Sequence, residues 1–374
     1  MINIDLLWMF LVPAFLSCLG IFIIPRISGN WRGYDTKGAC FVMGIGFVIS
    51  ILVLSAMFWA GKGLKTDDTE IWNGEVTAKA RTHGSYIESY SCNCRTVTSG
   101  SGKNQTSSTV CDTCYRDHYT VKWDCNSNIG DFRIDSADWT SRAVYALPDP
   151  QRFTIIKKGD PVSESHHYTN YIKAVPESLF QPAQESLKNQ FVGMIPPYPG
   201  DVYDIYRINR VVPVGVVIPN LTEWNDKLSN VLKVLGPAKQ ANAVIVITKS
   251  ADPNYFYALQ NAWINGKKND VVIVIGAPEY PKKAAWVNVM AFAQDAIFQV
   301  KMRDDILALD DLTADNVTQA LLLETAKTFK RKHMKDMAYL DAEIDPPMWM
   351  MVLAMVLIVA GYLFFTYQVY KESN

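Results

Sequence analysis

Hydrophobic positions along the chain follow two regimes. Residues 6–24, 39–60 and 348–367 carry no charged side chain, and each block matches the roughly 20 helical residues needed to cross a hydrocarbon core. Backbone polar groups in such blocks must bond internally, which selects helix. Trp8, Trp59, Trp349 and Tyr367 lie at block ends, where amphipathic rings favour the headgroup level. The pattern therefore predicts three transmembrane helices. Asp5 is the only charged residue before the first block and no small-residue cleavage site follows it, so that block is read as retained, with a kink at Pro13. Between the first two blocks Arg26, Arg32 and Lys37 outnumber Asp35. This loop is expected in the cytoplasm, with the amino terminus outside, residues 62–345 outside, and the tail bearing Lys371 and Glu372 inside.

The outer region changes character along its length. Partial alternation of β-branched and aromatic residues predicts strands at 72–80, 119–125 and 153–157. A Ser/Thr/Gly-rich stretch, 96–109, reads as an interrupting loop. Ile195-Pro196-Pro197-Tyr198-Pro199-Gly200 reads as a boundary. From Val211 onward, strands and helices alternate: a strand at 214–218, a helix capped by Thr222 that carries Trp224, Leu228, Val231, Leu232 and Leu235 and stops at Gly236, and a buried strand at 243–248. A helix at 254–264, a strand at 271–275, a further strand or edge segment at 286–292, and a helix opened by Thr313 with Val317, Leu321 and Phe329 on one side complete the pattern. That last helix leads toward Pro346 and Pro347. The expected fold is an α/β sandwich plus a small cysteine-containing β-rich subdomain, anchored by three transmembrane helices. Its expected domains are 1–61 (two helices and a short loop), 62–200 (β-rich, with cysteines), 201–345 (α/β) and 346–374 (third helix and tail).

Composition and charge narrow the function. The 374 residues are 49% hydrophobic with a formal net charge of −1, so no broad basic excess points to a nucleic-acid partner. Lys327, Lys330, Arg331, Lys332 and Lys335 form a local basic run. It reads as a solvated helix face, with anionic lipid headgroups as the sharper alternative. Five cysteines fall in the β-rich region: Cys92 and Cys94, Cys111 and Cys114, then Cys125. Two structural readings stay open. Four thiolates from Cys92, Cys94, Cys111 and Cys114 can close around one structural zinc, or an oxidising compartment can pair them as disulfides and leave one odd thiol. Geometry disfavours a bond within Cys-x-Cys, so disulfides would run between the two motifs. A redox-active role is a third reading, and His118 is a substitute ligand.

His166 and His167, near Glu164, read as a pH-sensitive or metal-binding spot or as an ordinary polar loop; neighbours on a strand face opposite ways, which disfavours one shared site. Asp304, Asp305, Asp310, Asp311 and Asp315 supply oxygen ligands for a divalent cation, although helix starts attract aspartates anyway. No phosphate-binding glycine loop, nucleophile elbow or His-Glu-x-x-His motif occurs in the sequence. The apolar blocks hold no acidic, basic or histidine side chain, which argues against an ion or proton path.

The segment from Pro219 to about Met334 resembles the TPM domain. The likeness rests on the helix entered after Pro219, the strand at 243–248, and Trp263, Gly266, Lys268, Asn269 and Asp270 running into the strand at 271–275. It implies a small α/β fold held beside a membrane, with phosphatase or metal-binding activity carried in some members by acidic residues in the loop after that strand. Here the loop reads Gly276-Ala277-Pro278-Glu279-Tyr280-Pro281-Lys282-Lys283, one acid and two lysines. A wider stretch, 72–347, resembles a family of membrane proteins encoded by tailed bacteriophages. It does so through Ile71-Trp72-Asn73-Gly74, the cysteine block with Ser-Gly-Ser-Gly, Tyr168-Thr169-Asn170-Tyr171, Asp252-Pro253-Asn254-Tyr255 and Glu343-Ile344-Asp345-Pro346-Pro347. That resemblance implies a bacterial inner membrane, a periplasmic domain and no particular reaction. The expectation is an envelope protein that presents a binding or scaffold domain to protein partners; the alternative is a TPM-type metal-dependent hydrolase.

Overall fold

The computed structural model describes residues 15–16, 36–99, 106–175, 190–202, 207–264 and 266–373. The described chain runs α1 (Thr36–Thr66), β1 (Asp67–Ser99), β2 (Thr106–Ser127), β3 (Phe132–Trp139), α2 (Gln151–Ile155), β4 (Pro161–Thr169), α3 (Tyr171–Ala174), β5 (Val211–Val214), α4 (Leu221–Lys239), β6 (Asn242–Thr248), α5 (Asn254–Trp263), β7 (Asp270–Gly276), β8 (Trp286–Ala291), α6 (Ile297–Leu307), α7 (Ala314–Thr328) and α8 (Met348–Ser373). It divides into two compact units: Met1–Glu70 with His167–Asn189 and Lys332–Asn374, and Ile71–His166 with Gln190–Arg331.

In the first unit, α1 and α8 share a seam of Leu54, Phe58, Met351, Ala354 and Ile358. A Cβ on Gly61 would come within 2.7 Å of Pro346, so a glycine is what allows this close approach. Lys62 closes the seam with an ion pair to Asp341 at 3.1 Å. Several large apolar side chains off the seam are exposed, among them Leu52, Trp59, Leu64, Val356 and Leu363. The expectation of three transmembrane helices is corrected here. Among the described residues, one helix, Gly44–Thr66, is by itself long and apolar enough to cross a membrane. Met348–Phe364 qualifies only together with Met334–Glu343, from which it is bent by 55°. The block at 6–24 lies outside the described residues except for Phe15 and Leu16.

The second unit contains two four-stranded sheets, one in the order β3-β2-β1-β4 and the other β5-β6-β7-β8. In the latter, β5, β6 and β7 are parallel and β8 is antiparallel to β7. β6 and β7 are buried throughout, as their unbroken apolar runs require of strands covered on both faces. One face packs Val271, Ile273 and Ile275 against α4, α6 and α7 through Leu228, Leu232, Phe298, Met302, Val317 and Leu321. The other packs Val244, Val246, Val272 and Val274 against α5 through Tyr255 and Leu259. Residues 195–200 lie on this second face. There the Trp263 indole donates to Pro196 O at 2.9 Å and Tyr198 OH donates to Asp270 at 2.7 Å.

A buried polar joint ties the two sheets together. Arg210, 1% exposed, donates to Asn242 Oδ1 at 2.9 Å, Asn73 Oδ1 at 2.5 Å and Ser163 Oγ at 2.6 Å. Asn242 passes the contact on to Asp270 Oδ1 at 2.9 Å. Asn73 stands on β1 and Ser163 on β4, so the joint spans both sheets. Gly236 lets α4 reach this point, since a Cβ there would sit 2.0 Å from Asn73 O.

Candidate functional site

The most distinctive feature of the second unit is the β1–β2 hairpin. Pairing runs from Val76↔Ser127 out to Ser99↔Thr106, while β3 covers β2 only between Cys125 and Tyr119. Among the described residues, from Tyr86↔His118 outward the two strands pair only with each other, forming an arm without the third strand that usually makes a ribbon stable in water. Alternation along the arm gives it two faces. One carries Ile87 and Tyr115, 66% and 72% exposed, beside Asp117. The other carries Tyr86, Glu88, Tyr90, Arg116 and His118, with Arg116 lying over the Tyr90 ring at 4.7 Å.

The four candidate zinc ligands lie on this arm as disulfides. Cys92 bonds Cys114 and Cys94 bonds Cys111, both across the strands and between the two motifs. The zinc expectation is thereby overturned, because each thiolate that would bind a metal is used in a sulfur–sulfur bond. The register shifts between Cys92 and Arg95, where Asn93 takes a left-handed φ of 47°. One extra residue on β1 makes this a bulge, with Cys92–Cys114 at its inner edge and Cys94–Cys111 within it. Cys125, the odd thiol, is buried in the cluster with Val76, Ile156 and Val162, and burial pushes its pKa up.

The acidic cluster does not converge. Asp304 pairs with its neighbour Arg303 at 2.8 Å. Asp305 shares α6 with Asp304, and burial, helped by Glu324, raises its pKa. Asp310 and Asp311 lie in the turn beyond α6, and Asp311 bridges to Lys282 through the backbone. Among the described residues no group of three His, Cys, Asp or Glu side chains is placed to hold a metal ion. The expected divalent cation is thus corrected together with the zinc. Spreading the carboxylates over a helix and a turn leaves no common centre.

Compared with protein-family models, curated proteins and solved structures, the chain matches none.

The histidines are distributed by strand geometry. His166 stacks on Trp72 with centroids 3.9 Å apart, while His167 lies 3.0 Å from Asp67. His118 contacts Glu88 and Asp138, not a cysteine. That constellation escaped sequence reading because its members come from β1, β2 and β3, and only the register brings them together. The arm is thus a bulged, covalently fixed ribbon that exposes Ile87 and Tyr115 on one face.

Proposed function

We propose that this chain is a membrane-anchored binding protein whose disulfide-stapled arm captures a protein partner on the oxidising side of the membrane. The carrying observation is the arm itself. It is two strands deep, fixed by two cross-strand disulfides, and exposes Ile87 and Tyr115 on one face. Aromatic and aliphatic side chains preset on a rigid element lower the ordering cost of binding. Disulfides favour a compartment outside the cytosol. The basic residues Arg26, Arg32 and Lys37 before Gly44–Thr66 support an orientation in which the chain after this helix faces outward. The TPM-like and phage-membrane resemblances refine this to the bacterial cell membrane with the second unit in the periplasm. The helices that sandwich the β5–β8 sheet support a TPM-like reading of that sheet as the platform.

A photo-crosslinking residue at Tyr115 or Ile87, in cells making the full chain, should give one discrete adduct. The adduct should vanish when Cys92, Cys94, Cys111 and Cys114 are replaced by Ser. The same probe at Val217, 85% exposed on the α/β body, should give none. An equal adduct from Val217, or none from the arm, would defeat the proposal.

A further inference from the structure

At the root of the arm, both ring nitrogens of one histidine face carboxylates from different strands. His118 Nδ1 lies 2.8 Å from Asp138 Oδ1 on β3, and Nε2 lies 3.0 Å from Glu88 Oε2 on β1. Tyr86 stacks on the imidazole at 4.9 Å and donates its hydroxyl to the other Asp138 oxygen at 2.7 Å. The position is the first one beyond the end of β3, whose last pair is Tyr119↔Trp139. A neutral imidazole has one N–H and satisfies one carboxylate while turning a lone pair toward the other; the imidazolium donates to both. Among the surrounding charges, Arg116 lies over Tyr90 and Arg142 over Tyr119, and Asp117 pairs with Ile87 on the opposite face. Glu88 and Asp138 are therefore the anions that meet the ring.

We propose that His118 is a pH-operated clip that fastens the arm to the third strand of its sheet in mild acid and releases it as pH rises. The titrations run the right way. The Asp138 hydrogen bond raises the His118 pKa most; desolvation, next in size, opposes it, and the Glu88 hydrogen bond adds to the rise, which prevails. Its stabilisation is complete below the ordinary histidine value and fades as pH climbs through the raised one. The Tyr86 and His118 bonds lower the Asp138 pKa, so its share is held above the ordinary carboxylate range and lost as pH falls through the lowered value. The clip is closed between those limits. A closed clip presents a stiffer arm to any ligand, and the device exists whether or not the arm binds a protein.

Hydrogen exchange on the full chain in nanodiscs, corrected for intrinsic rates, tests this at about pH 5.5 and about pH 8.5. Wild-type protection across residues 84–92 and 112–120 should fall about three- to tenfold between the two. In His118→Gln it should be low and equal at both. Glu88→Gln should shrink the fall, since an amide can face either form of the ring by turning over. Flat wild-type protection, or an undiminished fall in His118→Gln, would overturn the clip. Glu88 is 46% exposed, so its variant reads out the clip even if His118→Gln fails to fold, and a fall equal to wild type would count against it.

Discussion

Asn242 shows how much of the second unit depends on single polar side chains. Its Oδ1 accepts from Arg210 Nε at 2.9 Å and from Asn73 Nδ2 at 3.1 Å, while its Nδ2 donates to Asp270 at 2.9 Å. All four residues are no more than 2% exposed. Arg210 and Asp270 are opposite charges held apart by this one amide, and burial pushes the Asp270 pKa up despite bonds from Lys267 N, Tyr198 and Asn242. Asn242→Ala would leave a guanidinium N–H and a carboxylate oxygen short of partners in a place water does not reach. The expected cost is about 2–4 kcal/mol, larger than for an ordinary hydrogen bond because the abandoned groups are charged. Thermal unfolding of the detergent-solubilised chain, followed by near-ultraviolet circular dichroism, measures it. A loss under about 0.5 kcal/mol, the size of a neutral surface change, would mean that water or a local shift replaces the amide. None of this joint was legible in the sequence. Nothing local in the sequence marks Arg210, and its burial follows only from the meeting of two sheets.

Among the elements, the arm gains stability from covalent bonds in place of a third strand. A bond closing 17 residues, as Cys94–Cys111 does, lowers unfolded-state entropy by about 3 kcal/mol. Beyond the bulge, Thr96↔Thr109 and Thr98↔Ser107 make one face polar while Val97↔Ser108 leaves Val97 41% exposed on the other, and without a buried face register is weakly specified. Replacing Cys94 and Cys111 with Ser should therefore abolish exchange protection in residues 95–99 and leave the unfolding midpoint of the α/β body in place. Coupled loss of both would mean that arm and body unfold as one. The same stretch shows where pattern reading stops. Residues 96–109 read as a loop from their Ser, Thr and Gly content, yet β1 extends to Ser99 and β2 begins at Thr106, because cross-links substitute for hydrophobic alternation. Residues 153–157 read as a strand, but Gln151–Ile155 is a short helical turn after Pro150. The expected strand at 214–218 lies earlier, at Val211–Val214, where Pro213 is tolerated on an edge and Gly215, at φ 70°, ends the run. α6 went unread because Phe298, Met302 and Ile306 are its only buried residues among charged neighbours. β6, β7, α5 and the Thr313 cap were legible, since there the buried apolar runs and the capping hydroxyl decide the structure locally.

For the whole molecule, the question is which side of a membrane holds the arm. Gly44–Thr66 meets the requirements of a span, and the disulfides, which cytosolic thiol pools would keep reduced, belong to the chain that follows it. If that helix crosses with its basic amino-terminal flank inside, all four arm cysteines face the oxidising side. The sharpest check uses intact spheroplasts expressing the full chain with Cys18→Ser and Cys40→Ser. Cys125 then serves as an internal control, because it is buried and its thiol is held in the less reactive protonated form. A membrane-impermeant maleimide should label nothing before reduction and the arm cysteines afterwards, and a chelator should change neither result. Labelling before reduction would mean free thiols at the arm. Labelling that waits for lysis, even with reductant present, would place the second unit in the cytoplasm and remove the basis for an outward-facing binding role. Labelling after mild reduction alone would join the disulfides, the span and the orientation of the arm in one observation.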